Sequence, residues 1–190
     1  MVRWEIINKL IEKINAKKYL EIGVYHRWNF DAIICDYKIG VDPDTNIQCD
    51  YHMTSDQFFS QNTEIFDIIF IDGLHYSDYV ERDINNSLKF LSNNGYIICH
   101  DMNPWNELVQ LVPQQSASWT GDCWKAWVKI RSTNPNLSMF VIDTDCGCGV
   151  IREGAQELLN INCELTFENF EKYKKEWLNL ISVTEFNSRI

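Results

Sequence analysis

The first hundred residues alternate between two hydrophobic rhythms. Residues 2–15 place Trp4, Ile7, Leu10, Ile11 and Ile14 at spacings of three and four, which predicts an amphipathic helix. The run KYLEIGV, 18–24, then reads as a short apolar strand that ends at Gly23. A second helix is expected over Trp28 to Cys35, and a strand over YKIGVDPD, 37–44, stopped by Asp42-Pro43. A short strand at 48–51 would come next. Thr54 or Ser55 can cap a helix running through Phe59. IFDIIFI, 65–71, is the most apolar strand candidate. A helix from Ser77 or Asp78 to about Leu91 carries Val80, Ile84, Leu88 and Leu91 on one face, and Asn93-Asn94-Gly95 reads as a turn before the strand YIICH, 96–100.

The rhythm then breaks. Met102 to Thr120 has little periodicity and two prolines, so it reads as a long loop, and loops of that length in compact domains often carry binding function. A helix is expected from Asp122 to about Ser132. LSMFVID, 137–143, and GCGVIR, 147–152, read as two strands with a tight turn between them. Such a short connection makes them antiparallel neighbours. The tail from Phe167 to Ile181 reads as helical, with a fraying end.

Alternating strands and helices favour a mostly parallel sheet covered by helices on both faces. The expectation is therefore an α/β three-layer sandwich, with a mostly parallel, seven-stranded, Rossmann-like sheet and one antiparallel C-terminal strand. One domain would span 1–190. Within it, 1–17 would form the N-terminal helix, 102–121 a substrate loop and 160–190 a helical tail.

Composition narrows the chemistry. The formal charge is −10 at pH 7, which repels a phosphate backbone and argues against nucleic acid as partner. The seven cysteines include no Cys-x-x-Cys pair and fit reduced thiols, with Cys99 acting as a small hydrophobe. No stretch is apolar for long enough to read as a signal peptide or a membrane span, so a cytoplasmic protein is expected. The first helix and the tail are the candidate surfaces for a homodimer.

Ligands of an open parallel sheet bind beyond the carboxyl ends of its strands. Four such ends carry conspicuous residues in succession: Glu21-x-Gly23, Asp42, Asp72-Gly-Leu-His75 and His100-Asp101. Gly23 can let backbone approach a ligand closely. Asp42, about twenty residues beyond the first loop, suits a ribose diol. The loop lacks the further glycines a dinucleotide pyrophosphate needs. Asp72 and Asp101 are hard oxygen donors that could hold Mg²⁺, or simply cap the helices or turns after them. His75 is the natural base for a hydroxyl proton. If strand alternation held through 100–101, His100 and Asp101 would face opposite ways, which favours His75 with Asp72 as the working pair.

These segments resemble the class I methyltransferases that use S-adenosylmethionine, and in particular the small branch of TylF- and MycE-like macrolide sugar O-methyltransferases. The likeness runs over YLEIGVYHRWNF, IGVDPD, MTSDQFF, the long block from FDIIFIDGLH to ICHDMNP, GDCWKAW and VIDTDCGCGVI. The resemblance implies that Glu21, Gly23, Tyr25, Asn29, Asp42, Ser55, Asp56 and Asp72 bind the cofactor. It implies His75 as base, acting with Asp72, and a metal site at Asp72, His100 and Asp101. Two positions depart from the family: Arg27 stands where a glycine is usual, and His100 where a second acid is common. Nitrogen is a softer donor than Mg²⁺ prefers.

The reaction implied is methyl transfer from S-adenosylmethionine to a hydroxyl of a sugar or glycan precursor, with Mg²⁺ as the candidate metal. Trp105, Trp119 and Trp124 are candidates to pack on a sugar ring. The alternatives are a catechol-type O-methyltransferase and a catalytically inactive methyltransferase-fold subunit in glycan assembly.

Overall fold

A computed structural model describes all residues, 1–190. Seven strands form one sheet: β1 (Lys18–Ile22), β2 (Tyr37–Val41), β3 (Phe66–Ile71), β4 (Leu91–Cys99), β5 (Leu137–Ile142), β6 (Cys148–Glu153) and β7 (Leu180–Ile181). Their order is β2-β1-β3-β4-β6-β5-β7. β6 runs antiparallel to both its neighbours, while the other pairings are parallel. This is the mostly parallel, Rossmann-like α/β sandwich expected from the sequence. The seventh strand, however, is the short β7. The segment at 48–51 contributes just a bridge between Tyr51 and Val41.

The helices are α1 (Arg3–Ile14), α2 (Trp28–Ala32), α3 (Ser55–Gln61), α4 (Ser77–Lys89), α5 (Cys123–Thr133), α6 (Phe167–Trp177) and α7 (Val183–Arg189). Thr54 caps α3: its hydroxyl accepts from the Gln57 N–H, and the Gln57 side chain reaches back to the Thr54 N–H, closing a capping box. Strand alternation divides the core into two layers. Leu20 and Ile22 face a layer shared with α3, α4, α5 and α6, whereas Tyr19 faces the layer of α1, α2 and α7.

Two expectations need correction. Asn93-Asn94-Gly95 is not a turn before a strand but lies inside β4, where the register with β3 jumps from Phe66↔Leu91 to Ile68↔Tyr96. The end of the tail does not fray: the Ser182 hydroxyl caps α7, and Phe186 is fully buried. α1 buries Ile6, Ile7, Leu10 and Ile11 in the core, as its periodicity predicts, and leaves Glu5, Lys9, Glu12 and Lys13 exposed on its outer face.

Candidate active site

Parallel pairing brings the carboxyl ends of β2, β1, β3 and β4 to one edge. A cleft of about 630 Å³ opens there, a size common for small-molecule sites. Glu21, Gly23, Tyr25, Asn29, Asp42, Ser55, Asp72 and His75 all line it.

Its first wall is built by the loop after β1. Gly23 has φ +85°, and a Cβ there would sit 2.2 Å from the Asp72 carbonyl oxygen. Glycine is therefore required by the approach of β3's end, in addition to any approach of a ligand. Asp42 pins the same loop, because its Oδ2 accepts from the N–H groups of Val24 and Tyr25 at 3.0 Å each. Its Oδ1 accepts from the Asp44 N–H at 2.9 Å. The carboxylate is thus a backbone organiser before it meets any ligand. Arg27 adopts φ +63°, a left-handed conformation that glycine enters more readily than other residues. Its guanidinium holds the carboxylate of Asp31 and the carbonyl of Gln48.

Glu21 forms part of the floor and is almost fully buried. Its Oε2 accepts from the Tyr19 hydroxyl and from Asn29 Nδ2, at 2.5 and 2.9 Å. Burial nevertheless pushes its pKa up to about 8, since these two hydrogen bonds only partly offset desolvation. Asn29 Oδ1 is buried without a partner, an acceptor available to a ligand donor. Tyr25 and Trp28 are largely exposed at the cleft, with the His26 ring in tilted contact with both.

Asp72, His75, His100 and Asp101 converge. His75 lies between two carboxylates, with Nε2 3.3 Å from Asp72 Oδ1 and Nδ1 3.2 Å from Asp101 Oδ2. Nδ1 also contacts the Trp119 carbonyl at 3.0 Å. A carbonyl can only accept, so Nδ1 carries the hydrogen and Nε2 is the basic nitrogen of the neutral ring. Burial works against the protonated ring, but the hydrogen bond to Asp72 and the charges of Asp101 and Asp72 outweigh it and raise the pKa to about 8. Gly121 backs this arrangement: it has φ +58°, and any Cβ there would run into the His75 carbonyl.

His100 Nδ1 stands 3.3 Å from both Asp72 and Asp101. The expected opposition of His100 and Asp101 does not occur. β4 ends at Cys99, and Asp101 takes φ +62°, which re-aims its side chain toward the same centre. Asp72, His75 and Asp101 each offer one donor atom within 4.8 Å of the others, and His100 forms a second such group with Asp145 and Cys148. The donor chemistry of two carboxylates and an imidazole fits a divalent ion.

Several candidates fall elsewhere. Asp56 is outside the cleft, paired with Arg82 at 3.2 Å across the α3–α4 surface, because it projects from the outer face of its helix. Trp124 is fully buried against Phe170 and Trp177. Trp105 is exposed away from the cleft, which leaves Trp119, stacked 5.3 Å from the His75 ring. Sequence reasoning missed Arg3, Asp83 and Asp145. Arg3 and Asp83 line the cleft, and Asp145 holds Arg3 at 3.2 Å. No local motif marks Arg3 or Asp145, since tertiary contact over 142 residues joins them.

Comparison with known proteins agrees with this architecture. A family model described as "Methyltransferase domain" matches residues 40–102. No curated protein matches the chain in sequence. Among solved structures, an O-methyltransferase from Bacillus cereus in complex with SAH superposes with a TM-score of 0.57 at 14% identity, over 78% of each chain. TomG of Streptomyces achromogenes, an O-methyltransferase of tomaymycin synthesis solved with SAM, gives 0.59 at 11%, over 80% of this chain and 79% of its own. MycE of the mycinamycin pathway, solved with Mg, SAH and mycinamycin VI, gives 0.52 at 13%, over 83% of this chain and 51% of its own. The chain has the fold of the class I methyltransferases. No helix is long and apolar enough to cross a membrane.

Proposed function

We propose that this protein is an S-adenosylmethionine-dependent O-methyltransferase acting on a hydroxyl of a sugar or glycan precursor. The observation that carries the reading is the meeting of Asp72, His75 and Asp101 at the end of the cleft that Glu21 and Asp42 line. The methyltransferase fold and the family-model match support the same activity.

Bound S-adenosylmethionine would supply an electrophilic methyl group. Asp42, Glu21 and the unpartnered Asn29 Oδ1 offer acceptors for hydroxyl and ammonium donors, and Tyr25 and Ser55 complete that wall. In its neutral form, which predominates above its raised pKa of about 8, His75 would take the acceptor's proton at Nε2, and Asp72 and Asp101 would stabilise the resulting imidazolium. A divalent ion held by Asp72 and Asp101, with an imidazole from His100, would lower the acceptor hydroxyl's pKa. Holding both reactants in line supplies much of the acceleration. With Glu21 holding its proton at neutral pH, the cleft wall still carries Asp42, Asp72 and Asp83 against a single Lys or Arg, Arg3. That balance suits a neutral or cationic acceptor and disfavours a phosphorylated one. Trp119 presents an aromatic face beside His75 for a sugar ring.

Calorimetric titration with S-adenosylhomocysteine, with and without Mg²⁺, tests the cofactor. The expected result is saturable 1:1 binding, and heat indistinguishable from buffer in both titrations would refute the proposal. Incubation with labelled S-adenosylmethionine and a panel of neutral, amino and phosphorylated sugars then reads the acceptor.

A further inference from the structure

Arg3 sits in the first turn of α1, far in sequence from the residues it touches. Its Nη1 lies 3.2 Å from Asp145 Oδ2, and its Nε 3.8 Å from Asp72 Oδ2. That Nε is buried with no hydrogen-bond partner, so its orientation toward Asp72 is not spent on a neighbour. The placement is built in rather than incidental. The Arg3 backbone N–H donates to Asp145 Oδ2 at 2.7 Å, and the Thr144 hydroxyl donates to the Met1 carbonyl. The start of α1 is thereby clamped to the turn between β5 and β6.

Asp72 is shared. Oδ1 faces the two imidazoles and Oδ2 faces the guanidinium. A guanidinium stays charged at every working pH. A divalent ion taken by Asp72 and Asp101 would add two positive charges beside it, in a partly buried setting where screening is weak.

We propose that Arg3, a cation at every working pH, competes with a divalent ion for the Asp72 carboxylate, so that the docking of α1 sets how tightly the centre takes metal. The inference rests on the centre being a cation site and not on methyl transfer. By linkage, metal bound at the centre must in turn loosen the Arg3 contacts and the first turn of α1.

Mn²⁺ titrations of the full chain at fixed ionic strength, reading free ion by electron paramagnetic resonance, test the proposal. Arg3→Met should bind Mn²⁺ at least tenfold more tightly than wild type, while Arg3→Lys, which keeps the charge, should stay within about threefold of wild type. The gain in Arg3→Met should vanish when Asp72→Asn is added. Equal or weaker binding by Arg3→Met, a Lys variant that matches the Met variant, or a gain that survives Asp72→Asn would overturn the inference. A measurement on wild type guards against a variant that does not fold. Hydrogen exchange at the amides of residues 3–6 should quicken at Mn²⁺ saturation, and unchanged exchange there would also overturn it. None of these readouts uses cofactor or turnover, so the result is separable from the calorimetric test of the methyltransferase reading.

Discussion

His75 and Trp119 are joined twice: the imidazole Nδ1 hydrogen-bonds to the Trp119 carbonyl at 3.0 Å, and the two rings stack 5.3 Å apart. The long segment after β4 therefore does more than border the cleft. Its end fixes the tautomer and the plane of the proposed base, as a hydrogen bond to one imidazole nitrogen does for the other.

His75→Gln should cut turnover by about 10²–10⁴-fold, the usual worth of a positioned base. Affinity for S-adenosylhomocysteine should change by no more than about threefold, because the residues offered to the cofactor's ribose and amine lie on other strand ends. Steady-state rates beside calorimetry separate the two quantities. Turnover within about fivefold of wild type would remove His75 from the chemistry.

Gly23→Ala should destabilise the fold by at least about 2 kcal/mol. A left-handed alanine costs roughly 1–2 kcal/mol by itself, and the new methyl would also force the Asp72 carbonyl, 2.2 Å away, to move. Urea denaturation gives the loss directly. A change below about 0.5 kcal/mol would mean that the loop after β1 and the end of β3 do not approach so closely.

The strand ends were legible because they obey local rules: apolar runs stop at Gly23, Asp42, Asp72 and His100, and parallel topology forces such ends to one edge. What stayed hidden depended on single backbone angles and long-range contacts. The φ of +62° at Asp101 overrides the alternation that would have separated it from His100. Arg3 reaches its partners only after α1 docks on the sheet, so its spacing in the chain carries no signal. Asp56 failed for a different reason, since one residue of helical rotation separates it from the cleft-lining Ser55. β7, two residues long, is too short for any periodicity to announce it.

Asp42→Ala should weaken S-adenosylhomocysteine binding by about tenfold or more, because it removes both the proposed acceptor for a ribose hydroxyl and the anchor of the Val24 and Tyr25 N–H groups. Asp56→Ala should leave the same affinity within about twofold, since that side chain meets Arg82 at the surface. Parallel calorimetry on the two variants is the check, and an equal loss in both would contradict the assignment of the cleft wall.

Glu21→Gln should become progressively more stable than wild type between pH 5 and pH 8. The folded carboxyl has a pKa of about 8 against an ordinary value of 4.5. Below 4.5 the folded and unfolded forms are both protonated, and the group adds no penalty. As pH rises, the unfolded chain releases this proton while the folded chain retains it, so wild-type stability falls with pH until the folded group also ionises near 8. Glutamine cannot ionise, and its amide oxygen can still accept from Tyr19 and Asn29, so the variant escapes the loss. The difference should reach a few kcal/mol at most by pH 8, on the scale of about 1.4 kcal/mol per pKa unit. Urea midpoints of both proteins at pH 5, 6.5 and 8, without cofactor, would display it. A stability difference that stays flat across that range would mean Glu21 is already ionised in the folded protein, and the floor of the cleft would then carry a full negative charge.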